Sequence, residues 1–128
     1  MYEKTLFDII HNPNGYVYYK LLIDGISHYD RFVDSLKKLP NEQRSLKKVL
    51  ALMERFSPKV QLLENRFRQI KGLKRSDVFE FKDPPCVRIY VVLQKPNIYI
   101  VDGSTKKNQQ STIDRIGRLL KEFNSEEI

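Results

Sequence analysis

Three apolar runs in the second half of the chain lie too close together to be anything but neighbouring strands. Val78 to Lys82 alternates strictly, with Phe79 and Phe81 on one side and Val78, Glu80 and Lys82 on the other. After the break Asp83-Pro84-Pro85, Val87 to Leu93 puts Val87, Ile89, Val91 and Leu93 on one face and Arg88, Tyr90 and Val92 on the opposite one. Lys95-Pro96-Asn97 turns the chain, and Ile98 to Val101 makes the third run. A parallel neighbour needs a crossover of roughly a dozen residues, and these breaks are far shorter, so the runs pair antiparallel. Asp102-Gly103 then reads as the end of the strand, opening a polar stretch that carries Lys106 and Lys107.

The first half supplies what packs on those strands. Tyr16 to Ile23, rich in aromatic and β-branched residues, reads as a strand paired in a hairpin with Thr5 to Ile10 across the turn signal Asn12-Pro13-Asn14-Gly15. Ile26, Tyr29, Val33 and Leu36 then recur at helical spacing, with Ser27 and Asp30 as a capping box and Pro40 as a stop. Asn41 is a cap for a second helix whose stripe is Leu46, Val49, Leu50, Met53 and Phe56, ended by Ser57-Pro58. The short link predicts that the two helices pack as an antiparallel hairpin. Val60 to Gly72 has no clear period. Ile113, Ile116, Leu120 and Phe123 give a closing helix with Ser111 and Asp114 at cap positions. The expected fold is α+β: an antiparallel sheet of about four strands, the helical hairpin on one face, and a C-terminal helix.

At 128 residues this is one domain, 1–128, with residues 1–15 as an N-terminal addition. No apolar run approaches the ~20 residues of a membrane span, and Met1-Tyr2-Glu3-Lys4 does not open a signal peptide, which points to the cytoplasm. Cys86 is the only cysteine; it forms no intrachain disulfide and reads as a small hydrophobe. Neither metal-ligand spacing nor a cofactor motif is present, so no metal and no cofactor are expected.

Charge narrows the function. Of 23 basic and 16 acidic residues, ten basic and four acidic lie between Arg66 and Lys107, a local excess of six out of a net +7. Arg66-Phe67-Arg68-Gln69-Ile70-Lys71-Gly72-Leu73-Lys74-Arg75 holds five cations and no acid, with Phe67, Ile70 and Leu73 recurring every third residue. Such a field attracts nucleic acid or another acidic partner. One face of the sheet buries Phe79, Phe81, Ile89 and Val91; the other presents Glu80, Lys82, Arg88 and Tyr90, bounded by Asp102, Lys106 and Lys107. His11 and His28 lie in the N-terminal part, away from this set, and His28 reads as a residue of the first helical turn.

These segments in this order resemble the RelE/ParE superfamily of toxins, especially its HigB-like, phage-derived branch. Glu80-Phe81-Lys82 is similar to that branch's Glu-x-Arg strand, with lysine for arginine. Arg88-Ile89-Tyr90 is similar to its Arg-(Ile/Val)-x-Tyr pattern. Asp102-Gly103-Ser104-Thr105-Lys106-Lys107-Asn108-Gln109 resembles its His-Gly-Phe…Lys-Lys stretch, with Asp102 for histidine and Ser104 for phenylalanine. The similarity spans Tyr16 to Phe123. It implies a sheet with helices on one side and a concave basic groove on the other, a ribosome-dependent messenger-RNA endoribonuclease (a hydrolase), and a cognate antitoxin that neutralises it.

Cutting RNA without a metal uses the neighbouring 2′-hydroxyl as nucleophile and needs a base, an acid for the leaving 5′-oxygen, and cations for the phosphate. Arg88 has the planar fork suited to phosphate, and Lys82 with Lys106 or Lys107 adds charge or a proton. Glu80 or Asp102 can serve as base. The catalytic candidates are therefore Glu80, Lys82, Arg88, Asp102 and Lys106. The RNA-binding candidates are Arg66, Arg68, Lys71, Lys74, Arg75, Tyr90 and Lys107, with Tyr90 stacking on a base. Two other readings stay open: a non-catalytic module binding nucleic acid or an acidic protein through the same groove, and a topoisomerase-directed toxin of the ParE kind.

Overall fold

The computed structural model describes residues 2–10, 15–84 and 86–121. The Asn12–Asn14 turn signal, His11, Pro85 and Phe123 fall outside them. Six strands, β1 (Tyr2–Leu6), β2 (Val17–Ile23), β3 (Phe67–Gln69), β4 (Val78–Lys82), β5 (Val87–Gln94) and β6 (Asn97–Thr105), form one sheet in the order β1-β2-β6-β5-β4-β3. Three helices accompany it: α1 (His28–Ser35), α2 (Pro40–Arg55) and α3 (Gln109–Leu119), the last entered through a 3-10 turn at Lys106–Asn108. The protein is α+β. No helix among the described residues is long and apolar enough to cross a membrane.

The three close runs pair antiparallel as β4, β5 and β6. The four-strand antiparallel sheet is exceeded in three ways. Residues 2–6, rather than the expected Thr5 to Ile10, form an edge strand antiparallel to β2. β2 joins β6 in parallel, so the sheet is mixed. β3 covers the other edge through Phe67↔Phe81, Arg68↔Glu80 and Gln69↔Phe79. A parallel pair more than seventy residues apart in sequence, and a three-residue strand inside a cationic stretch, leave no local periodicity to find.

The two faces of the sheet are both used. On one, Phe81, Ile89, Val91, Ile98 and Ile100 pack with Tyr29 and Leu36 from the α1 region and Leu46, Val49 and Met53 of α2. Phe56, Phe67, Phe79 and Phe81 form an aromatic group there, with Phe56 and Phe67 centroids 4.5 Å apart. The helices take their main contacts from the sheet, α1 from β6 and α2 from β5 and β4, so the predicted helix-on-helix hairpin gives way to two helices laid side by side on strands. Tyr18 ties β2 to α2 by donating to the Met53 carbonyl at 2.6 Å, and Lys20 ties it to α1 through Asp30 at 2.8 Å. Ser45 of α2, buried, donates to Asp83 and accepts from the Val87 amide, fixing the β4–β5 turn.

On the other face α3 lays Ile116 and Leu120 over Tyr90, Val92, Tyr99 and Val101. The expectation of an open polar face is therefore corrected: the closing helix crosses it, because the stripe of α3 needs apolar cover and this face offers it.

Two helix starts also differ. Ser27 caps α1 as expected, accepting from the Asp30 amide at 3.1 Å. Pro40 opens α2 rather than stopping α1, since its missing N–H costs nothing in a first turn, and Asn41 is inside the helix. α3 starts at Gln109, before Ser111 and Asp114; Ser111 instead donates to the Asn108 carbonyl.

Candidate nucleic-acid interface

Strand register assembles the polar residues into two ranks across the α3 side of the sheet. One runs Arg68–Glu80–Tyr90–Asp102 through successive cross-strand pairs of β3, β4, β5 and β6. Beside it lie Lys82–Arg88–Ser104. Strict alternation from Ile98 and Ile100 would turn Asp102 toward α1 and α2. A bulge prevents this: Tyr90 pairs with Asp102 but Val91 with Ile100, so Val101 is the extra residue and Asp102 flips to the side of Tyr90. Consequently Asp102-Gly103 does not end the strand. β6 runs on to Thr105, and Gly103 lands opposite Ile89 on the α1 face.

Glu80 is the centre of the first rank and is fully buried. Its Oε1 lies 3.5 Å from Arg88 Nε, 3.6 Å from Arg68 Nε and 4.0 Å from Lys82 Nζ. Neither carboxylate oxygen accepts a hydrogen bond, so charge alone relates it to the three cations. Those cations differ in reach. Arg88 is buried, with Nη1 donating to the Cys86 carbonyl; the Lys82 side chain is 12% exposed and that of Arg68 42%. Burial, then the Arg68 charge, lowers the Lys82 pKa; Glu80 opposes the shift and Arg88 adds to it.

The other carboxylate is equally sealed. Asp102 is fully buried, Oδ1 accepting from the Gly103 amide at 2.8 Å and Oδ2 from Arg115 of α3 at 2.8 and 2.9 Å. Between the two acids Tyr90 is buried, its hydroxyl 2.8 Å from Ser104 Oγ and its pKa pushed up to about 12 by burial. Its ring has no open face for a base, so the expected stacking role is corrected to a spacer. Glu80 and Asp102 likewise stand where no substrate hydroxyl reaches them.

Around this buried centre the basic stretch divides. Arg68, Lys71 and Lys74 are exposed, and so are Lys106 and Lys107 on the 3-10 turn that leaves β6 next to Arg88's partner Ser104. Arg66 is half-buried and folds back to the Asn65 carbonyl. Arg75 is withdrawn: it grips Asp77 through two 2.9 Å hydrogen bonds with its side chain 11% exposed. Burial alone would raise the Asp77 pKa, but the bonds from Arg75 and Gln94 hold it below the usual carboxylate range. That pair anchors the 70–77 loop to β5 and is not available to RNA. Along this rim a groove of about 660 Å³ separates β3 from the start of α3, lined by Arg68, Lys71, Gln109, Gln110 and Ile113 among others.

The sequence placed His28 away from the site, yet it comes within electrostatic reach of Asp102 and Arg115. The α1–β6 packing brings it there, and only the three-dimensional path of β6 could show it. No family model, curated protein or solved structure matches this chain.

Proposed function

We propose that this protein binds RNA along the Arg68–Lys71–Lys74 rim and cleaves it beside Lys82, as the messenger-RNA endoribonuclease toxin of a toxin–antitoxin pair with a RelE-like sheet. The observation that carries the reading is the convergence of Arg68, Lys82 and Arg88 on the single carboxylate of Glu80. Three cations against Glu80, with Glu64 as the second acid on the groove, still leave a positive excess where the groove meets the sheet. Its low-dielectric setting strengthens attraction for a phosphate.

The roles follow from reach. Arg68, partly exposed and forked, holds phosphate oxygens; the 2′-oxygen loses its proton to water and bonds to phosphorus as the P–O5′ bond breaks, and Lys82, whose ammonium is already destabilised, gives its proton to the leaving 5′-oxygen. Arg88 supplies charge from beneath, and Glu80 keeps the three side chains in place without touching substrate. The ribosome delivers the message, and an antitoxin with acidic segments covers the same rim to silence it.

The test is controlled expression followed by mapping of transcript 5′ ends. New ends should arise within translated messages with the native protein and vanish for Lys82→Gln and Arg68→Gln, both on positions that reach solvent. Arg88→Ala is the poorer probe, because it removes a buried side chain beside Glu80. A folded Lys82→Gln protein that cuts like the native one defeats the assignment.

A second reading rests on the sealing of both carboxylates of the rank: neither Glu80 nor Asp102 is placed to take the 2′-hydroxyl proton. In that case the rim binds RNA or an acidic protein without cutting. Binding that weakens with salt, with no new 5′ ends, would select it.

A further inference from the structure

A second cationic cavity lies on the α1 side of β6, and none of its cations belongs to the cluster around Glu80. It has a volume of about 590 Å³ and is enclosed by α1, the end of β6, the 3-10 turn and the first turns of α3. Two guanidiniums line it, Arg31 from α1 and Arg115 from α3. Arg31 is exposed and has no ion-pair partner among the described residues. Arg115 uses Nε and Nη2 on Asp102 Oδ2, yet its side chain remains 41% exposed. His28, at the start of α1, lines the cavity as well. Burial lowers its pKa, Asp102 pulls it back, and Arg115 and Arg31 push it down again, so the imidazole is neutral near pH 7 and all three charged groups sense it. Ser111, one turn before Arg115 on α3, adds a hydroxyl.

The remaining wall is apolar and depends on one glycine. Gly103 sits under the Phe32 ring so closely that a Cβ there would lie 2.2 Å from Phe32 Cδ2. With no side chain at 103, the ring lies down against the strand and lines the cavity together with Leu36 and Leu39. The space thus combines forked cations, an imidazole and a hydroxyl with a flat ring and aliphatic carbons. Paired guanidiniums match phosphate oxygens, an aromatic face matches a nucleobase, and the volume lies in the ~300–1,000 Å³ range of small-ligand sites.

The geometry points to a nucleoside-monophosphate site in this cavity, with the phosphate on Arg31 and Arg115 and the base against Phe32. Two sources share that chemistry, a free mononucleotide and the 5′-phosphorylated end of an RNA chain.

Calorimetric titration of the full chain with adenosine 5′-monophosphate, in the absence of any RNA, tests the site without reference to cleavage. One molar equivalent should bind, adenosine should bind at least tenfold more weakly, and Arg31→Gln should weaken the monophosphate at least tenfold. Arg31 is an exposed helix position, so this variant keeps the fold; Arg31→Lys, retaining charge but not the fork, should fall between. A 5′-phosphorylated oligoribonucleotide that binds more tightly than the monophosphate identifies the chain end as the ligand, and one that binds no more tightly identifies the free nucleotide. No saturable binding, binding unaffected by Arg31→Gln, or inorganic phosphate binding as tightly as the nucleotide would each overturn the assignment.

Discussion

Replacing Glu80 by glutamine would remove one negative charge and almost nothing else. Three cations would then lie within 4.0 Å of a neutral amide in a fully buried position. Breaking a buried ion cluster in this way costs about 3–5 kcal/mol when the partners cannot escape. Here two can relax: Arg68 swings toward water and Lys82 gives up its proton more easily than a free lysine. The expected loss is therefore smaller, about 2–3 kcal/mol, read as a lower midpoint of chemical denaturation at unchanged slope. A Glu80→Gln protein as stable as the native one would show that the carboxylate does not hold the cations, and the role assigned to it would fail.

Gly103 and the bulge before it decide what β6 presents on each side. Adding a methyl group at 103 brings it to 2.2 Å from the Phe32 ring, an overpacking that costs typically ~1–3 kcal/mol. Gly103→Ala should destabilise by about 2 kcal/mol in the native background and by under ~0.5 kcal/mol once Phe32 is alanine. A double-mutant cycle by thermal or denaturant unfolding measures both; equal losses in the two backgrounds would mean the ring is not the obstacle. The same strand shows where sequence reading stops. Alternation located β4 and β5 to the residue at their starts and set Phe81 and Ile89 opposite Glu80 and Arg88, because a two-residue period survives in every amphipathic strand. It could not reveal that Val101 is an extra residue, so Asp102-Gly103 looked like a turn when it is ladder. Arg75 and Tyr90 looked like RNA contacts for a related reason: a basic or aromatic residue shows its type in the sequence, not the Asp77 or Ser104 that occupies it.

For the whole molecule, the net charge of +7 matters only through the cations that reach a ligand. Nine basic residues of the 66–107 region carry the charge expected to meet phosphate, and the fold commits three of them elsewhere: Arg66 to the Asn65 carbonyl, Arg75 to Asp77, and Arg88 beneath the sheet surface. Six remain, Arg68, Lys71, Lys74, Lys82, Lys106 and Lys107. Each phosphate neutralised on a single strand contributes ~0.7 to the slope of log affinity against log salt, so six contacts predict about −4 and nine about −6. Fluorescence-anisotropy titrations of a single-stranded RNA across a range of salt concentrations distinguish the two. Arg75→Gln should leave the slope unchanged, and Lys71→Gln should reduce its magnitude by ~0.7. If instead Arg75→Gln flattens it as Lys71→Gln does, the Arg75–Asp77 clasp opens to RNA and the rim is wider than the folded chain presents. A slope near zero would remove the nucleic-acid reading altogether and leave the cations as the solvated edge of a sheet.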